Sequence, residues 1–342
     1  MDRRKEMILF AVVEEYIHSA RPVGSKKVVQ SGIAASPATV RSEMSALEEM
    51  GLLEQPHTSA GRMPTDLGFR RYADYVLQDN RPLPEDLREL GGLRGLDQAG
   101  AQELASETAR VLSNLSRIVS MVMIVPAERA PLGAVHFLEQ GRGKIRTVFQ
   151  MMGGGQEEVV IANDWGLDGL ALQRLSNLVN KVARGRTLIG LRRELIRQLE
   201  EARAQADIML ARAVEVSERV AAAVEPEVIV SGQVNLFDQP EFSEVGRLKE
   251  VAKALNDKTV LVKMLEGVTL AGGFRVIIGD ENAIEPMKSC SVIAGAYGRG
   301  GINAGTLGVI GPTRMDYARL IPLIHHASEM MSEWLARREF QH

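Results

Sequence analysis

The sequence predicts an α+β chain of more than one domain, and three observations predict it. Within about the first 75 residues, helix and turn signals alternate in the order helix, short helix, helix, hairpin, helix. Beyond residue 101, runs of strand character stand on both sides of a long block with helical spacing. The length, 342 residues, exceeds one ordinary domain of roughly 150 residues. With 45% hydrophobic and 25% charged residues, the composition is that of a chain that buries a core.

Ile8, Leu9, Val12, Val13, Tyr16 and Ile17 recur at helical spacing and predict a helix over about 3–19, which Arg21-Pro22 ends. Its basic start resembles a signal peptide, but Glu6, Glu14 and Glu15 interrupt the apolar run. Ser25 is expected to cap a short helix through Gln30, with Lys26 and Lys27 in its first turn. Ser36 sets a capping hydroxyl before Pro37, predicting a helix to about Met50 that Gly51 terminates. Val40, Met44 and Leu47 form its buried stripe. At about 100° per residue, Ala38, Arg41, Ser42, Ser45 and Glu49 fall on the other side. Leu52-Leu53-Glu54 reads as a strand, QPHTSAGRMPT as a hairpin-like excursion, and Thr65 as the cap of a helix over about 66–77. Phe69, Tyr72, Ala73 and Val76 of that helix are expected to face inward. This order of elements is a winged helix-turn-helix.

Residues 80–100 hold two prolines and four glycines and read as a linker with one short helical turn. A helix is expected over 101–116, then strands at 119–125, 134–138 and 144–152. Residues 167–224 read as helical in two or three pieces, the last with a narrow Ala-rich stripe. Strands are expected again at 228–230, Thr259–Met264, 274–278, 292–297 and 306–310, and a closing helix at 316–337.

No enzyme chemistry emerges. The histidines (18, 57, 136, 325, 326 and 342) show no metal-ligand spacing, and no cofactor or metal is expected. The single cysteine, Cys290, excludes an intrachain disulfide, favours the cytoplasm, and sits where a buried strand begins, so an inert thiol is expected. The glycine runs at 153–155 and 298–301 match neither a P-loop nor a dinucleotide fingerprint. No stretch approaches the roughly 18 apolar residues of a membrane span.

DNA contact is the chemistry that the N-terminal pattern supports. Ala38, Thr39, Arg41, Ser42 and Ser45 are small or hydrogen-bonding, as a helix needs in order to sit in the major groove, with Ser36 at its start. His57, Thr58, Ser59, Gly61 and Arg62 form a wing tip suited to the phosphate backbone or minor groove, and Ser25, Lys26 and Lys27 suit phosphates. The charge is unhelpful. The chain carries −3 overall, and residues 1–80 hold ten basic against eleven acidic side chains. DNA binding therefore requires Arg3, Arg4, Lys5, Lys26, Lys27, Arg41, Arg62, Arg70 and Arg71 to share one face.

The stretch from Pro22 to Leu77, with the run GLLEQPHTSAGRMPT at its centre, resembles the N-terminal domain of the heat-inducible transcription repressor HrcA family. GQVNLFDQPEF (Gly232–Phe242) and GTLGVIGPTRMDYARLIPLI (Gly305–Ile324) match the same family, so the resemblance spans nearly the whole chain. It implies a winged helix followed by a GAF-like α/β domain into which a mainly helical dimerisation segment is inserted. On this chain these become 1–100 with the linker, 101–162 plus 226–342, and 163–225. Dimerisation would fall on Leu195, Leu199, Ala202, Ala206 and Met209. The resemblance further implies a homodimer on an inverted-repeat operator of chaperone operons, release on heat, and the GroE chaperonin as a partner. Many members carry Asn where this chain has Ser42 and Ser where it has Pro37, so a bidentate adenine contact is unavailable here. Two rivals remain: a ligand-gated regulator sensing a small molecule through the GAF-like domain, and an enzyme using Cys290 or the glycine loops.

Overall fold

The computed structural model describes residues 2–57, 60–78, 81–96, 100–124, 132–141, 143–152, 156–186, 191, 194–195, 197, 212–216, 226–270, 273–299 and 302–338. The chain divides into two compact units. Residues 1–122, 228–295 and 306–330 form the first; 123–227, 296–305 and 331–342 form the second.

The first unit opens with α1 (Arg3–Ser19), α2 (Ser25–Gln30) and α3 (Pro37–Glu49), then a two-stranded antiparallel ribbon of β1 (Leu53–Glu54) and β2 (Met63–Pro64), then α4 (Asp66–Val76). The expected apolar stripes are the buried ones: Ile8, Leu9, Val12 and Val13 on α1, Val40, Met44 and Leu47 on α3, and Phe69, Tyr72, Ala73 and Val76 on α4. Phe10 locks α1 to α4, its ring 5.5 Å from Tyr72 and 4.6 Å from Tyr75. Ser25 does not cap α2. Gly24 is the cap and Ser25 is the first helical residue, buried, because Val23 is already paired with Arg62 across the ribbon and turns the chain into the helix one residue early.

The expected linker is largely helical. Pro84–Gly91 forms α5 and Gly92–Leu96 a 3-10 turn. Pro84 starts α5, Glu85 and Asp86 favour its positive end, and Leu90 and Leu93 are buried, so apolar spacing outweighs the glycines. After α6 (Ala101–Ser116) comes a five-stranded sheet in the order β7-β3-β10-β9-β8. Its strands are β3 (Val119–Ile124), β7 (Glu227–Ser231), β8 (Phe274–Ile278), β9 (Cys290–Arg299) and β10 (Ile302–Pro312). Between β7 and β8 lie α8 (Val245–Asn256) and α9 (Lys258–Leu270); α10 (Tyr317–Arg338) follows β10. The strand expected at Thr259–Met264 is therefore part of α9. Asp257 accepts the Thr259 N–H at 2.9 Å and starts the helix, and Leu261, Leu265 and Val268 keep helical spacing toward the core.

The second unit holds a three-stranded antiparallel sheet, β4 (Leu132–Glu139), β5 (Lys144–Met151) and β6 (Gln156–Ala162), together with α7 (Gly169–Ala183). Leu132, Val135, Ile145, Phe149, Leu172, Leu175 and Val179 are among its core, and Leu191, Leu195, Ala213 and Val216 join it. Side chains of α7 serve the outer edge of β4. Asn180 both accepts the Val135 N–H and donates to its carbonyl at 2.8 Å, and Ser176 accepts the Phe137 N–H at 2.9 Å. The sheet 132–162 thus shares a core with α7, which follows it across residues 162/163.

Candidate nucleic-acid interface

The start of α3 is built by its sequence. Ser36 Oγ accepts the Thr39 N–H at 3.1 Å and lies 2.9 Å from the Thr39 hydroxyl, while Pro37 occupies the first turn, where no N–H is needed. With Val40, Met44 and Leu47 buried, Ala38, Arg41 and Ser42 are exposed and Thr39 and Ser45 half-buried. Arg41 makes no ion pair among the described residues, and neither does exposed Lys26; Lys27 lies 3.6 Å from Glu15.

The ribbon is tied down more tightly than its sequence suggests. Val23 and Arg62 exchange both backbone hydrogen bonds, at 2.8 and 2.9 Å. Gly61 must be glycine, because a Cβ there would overlap the Val23 backbone. Its role is a close backbone approach at the base of the ribbon. His57 is exposed, and its carbonyl accepts the Ala60 N–H at 2.8 Å; Thr58 and Ser59 lie outside the described residues.

The cations expected on one face do not share it. Arg62 is clamped to Glu48, Arg71 to Glu6 at 2.5 Å, and Lys5 to Glu43 at 3.0 Å. Arg70 points to the far part of the chain, where it grips Glu281 and the Val276 carbonyl. Each of these arginines finds an acidic partner, as a domain with nearly balanced charge allows. Arg3, Arg4, Lys26 and Arg41 remain as exposed basic side chains without an ion pair among the described residues. These partners are not legible in the sequence: Glu43 meets Lys5 through the packing of α3 on α1, Glu48 meets Arg62 through the packing of α3 on the ribbon, and Glu281 lies 211 residues from Arg70.

Leu195 is buried in the second unit's own core, which removes it as a surface contact; Leu199, Ala202, Ala206 and Met209 lie outside the described residues. Cys290 is buried in β9, and burial pushes its thiol up to about 11. No cluster of three metal-ligating side chains occurs among the described residues, and no helix there is long and apolar enough to cross a membrane.

A crystal structure described as that of a hypothetical protein is similar in fold at a TM-score of 0.60 and 21% identity, covering 99% of both chains. The family description "HrcA protein C terminal domain" matches residues 102–321. The heat-inducible transcription repressor HrcA of Sorangium cellulosum is 36% identical over 338 residues, 97% of each chain. That of Geobacter sulfurreducens is 34% identical over 339 residues, 98% of each. These relatives are transcription repressors rather than enzymes, and with similarity of this extent the chain belongs to the HrcA family of heat-inducible transcription repressors.

Proposed function

We propose that this chain is a cytoplasmic, sequence-specific DNA-binding repressor of chaperone operons that binds an inverted-repeat operator as a homodimer and leaves it on heat stress. In this reading residues 3–76 are a winged helix-turn-helix, with α3 in the major groove and the β1–β2 ribbon as the wing. The five-stranded sheet and its helices are a GAF-like domain, and the segment around 163–225 supplies the dimer contacts through Leu199, Ala202, Ala206 and Met209.

One observation carries the reading: the solvent side of α3 is small and polar around the Arg41 guanidinium, which makes no ion pair among the described residues. Ala38, Ser42 and Ser45 let the helix approach base edges, and Arg41 reads guanine or fixes a phosphate. Thr39 and Ser36 at the helix start, Lys26 and Lys27 on α2, and His57, Thr58 and Ser59 at the wing tip hold the backbone. Gly61, Arg62 and buried Ser25, expected from the sequence as DNA contacts, instead support this surface from behind. The GroE chaperonin is the partner that helps the repressor reach its active state. Heat then acts by loading the chaperonin with other clients.

A fluorescence titration tests the reading, using an inverted repeat from a chaperone promoter beside a scrambled duplex of equal length at fixed salt. Preference for the repeat, lost above the heat-shock temperature and regained on adding chaperonin, is expected. Equal affinity for the two duplexes would overturn operator binding, and a temperature-independent preference would overturn release.

A further inference from the structure

Asp66, Phe69 and Arg70 stand on one face of α4, and all three meet residues of the strand-rich part of the same unit. Arg70 Nε donates to Glu281 Oε1 at 2.8 Å, and its Nη2 donates to Glu281 Oε2 and, at 2.7 Å, to the Val276 carbonyl. Asp66 Oδ2 accepts the Asp280 N–H at 2.9 Å. Gly279, beside it, has φ +51°, which favours glycine, and a Cβ there would displace the Asp66 carboxylate from this turn. The Phe69 ring lies 5.9 Å from that of Tyr317. A second attachment holds the end of α1, where Arg314 Nη1 donates to the Ile17 carbonyl at 3.0 Å. None of these contacts uses α3.

We propose that Arg70 and Asp66, through Glu281 and the Gly279-Asp280 turn, are positioning residues that fix the orientation of the DNA-reading head and so set the half-site spacing a dimer accepts. The inference rests on the operator-binding dimer proposed above. A head held by a flexible tether reaches a second half-site over many spacings, each with a modest effective concentration. A head held rigidly reaches one spacing with a high effective concentration and rejects others. The latch also accounts for an arginine that the neutral head diverts from DNA.

The test compares full-length wild type with Arg70→Ala, Glu281→Gln and the charge swap Arg70→Glu with Glu281→Arg. Each is titrated on one half-site, on the native inverted repeat, and on repeats whose spacer is changed by about 5 base pairs, half a helical turn. The single variants should keep wild-type half-site affinity and lose about tenfold or more on the native repeat. Their spacer dependence should be flat, and the swap should restore both. A wild-type spacer profile in the single variants, or half-site binding that falls in parallel with the full site, overturns the latch. A DNA-free readout separates this from the operator reading: hydrogen exchange of the Asp280 amide should accelerate in Arg70→Ala and recover in the swap. Unchanged exchange overturns the latch even where DNA binding fails. Wild type that ignores the inverted repeat while the exchange result holds overturns operator binding alone.

Discussion

Glu48 Oε2 accepts from both Nε and Nη2 of Arg62 at 2.8 Å, joining the last turn of α3 to the residue that leads into β2. Arg62 is only 14% exposed, so its charge is spent inside the domain rather than offered to a phosphate. Arg62→Ala should therefore destabilise the fold by about 1 kcal/mol, at the upper end for a partly screened pair. A double-mutant cycle with Glu48→Ala should recover a similar coupling. The decisive measurement is the salt dependence of operator affinity. Arg62→Ala should leave its slope as in wild type, and a slope lower by about one unit would show that Arg62 is a phosphate contact after all.

Arg41 and Lys26 should behave differently from Arg62 and from each other. Arg41 stands on the exposed side of α3 and Lys26 on exposed α2, with no ion pair to hold either among the described residues. Arg41→Ala should cost about 1–3 kcal/mol on the operator and relax base preference at one position. Lys26→Ala should weaken all duplexes about equally and lower the salt slope by about one. Base preference measured on a panel of single-substituted operators tells the two apart. An Arg41→Ala profile parallel to wild type would move Arg41 to the phosphate backbone.

These contrasts mark where sequence was enough. The caps of α3 and α4, their buried stripes and the bounds of α1 and α6 follow from local signals: a hydroxyl before a helix, spacing of three and four, glycine at a helix end. The misreadings lie where local signals are ambiguous. VLVKML around 260–265 has the β-branched content of a strand, and Asp257 decides for a helix only by its cap. The Pro- and Gly-rich stretch after residue 80 hides the spacing of Leu87, Leu90 and Leu93. The roles of Arg62 and Arg70 were out of reach for a different reason, since charge count says nothing of which carboxylate the fold brings to each arginine.

The Asp86–Arg319 pair predicts a large stability effect. The Asp86 side chain is fully buried and accepts from Arg319 Nη2 at 2.8 Å and from Nε at 3.2 Å. Hydrogen bonding to Asp86, set against burial, leaves the Arg319 guanidinium titrating above its ordinary value. Removing the arginine strands a carboxylate away from water, whereas replacing Asp86 by Asn removes the charge as well. Arg319→Met should cost about 3 kcal/mol and Asp86→Asn clearly less. Urea unfolding at neutral pH provides the comparison, and equal costs would mean water reaches Asp86 once Arg319 is gone.

Cys290 offers a prediction in pH. Its thiol is pushed from an ordinary 9.0 up to about 11, first by burial, which outweighs the lowering by Ser289 and Arg247. The folded value lies above the unfolded one, so between them the unfolded chain loses a proton that the folded chain keeps. The stabilising contribution is therefore complete below about pH 9 and is lost as pH rises toward 11. Stability measured by urea unfolding should fall with pH in this window, and Cys290→Ala should flatten that part of the curve. At pH 8 a thiol of this acidity is thiolate to only about one part in a thousand. It also has no path to solvent, so native protein should resist Ellman's reagent and release one equivalent on unfolding. Rapid labelling of the native thiol would reopen a nucleophilic role for Cys290. Resistance, together with the alkaline loss of stability, identifies the residue as an apolar filler of β9.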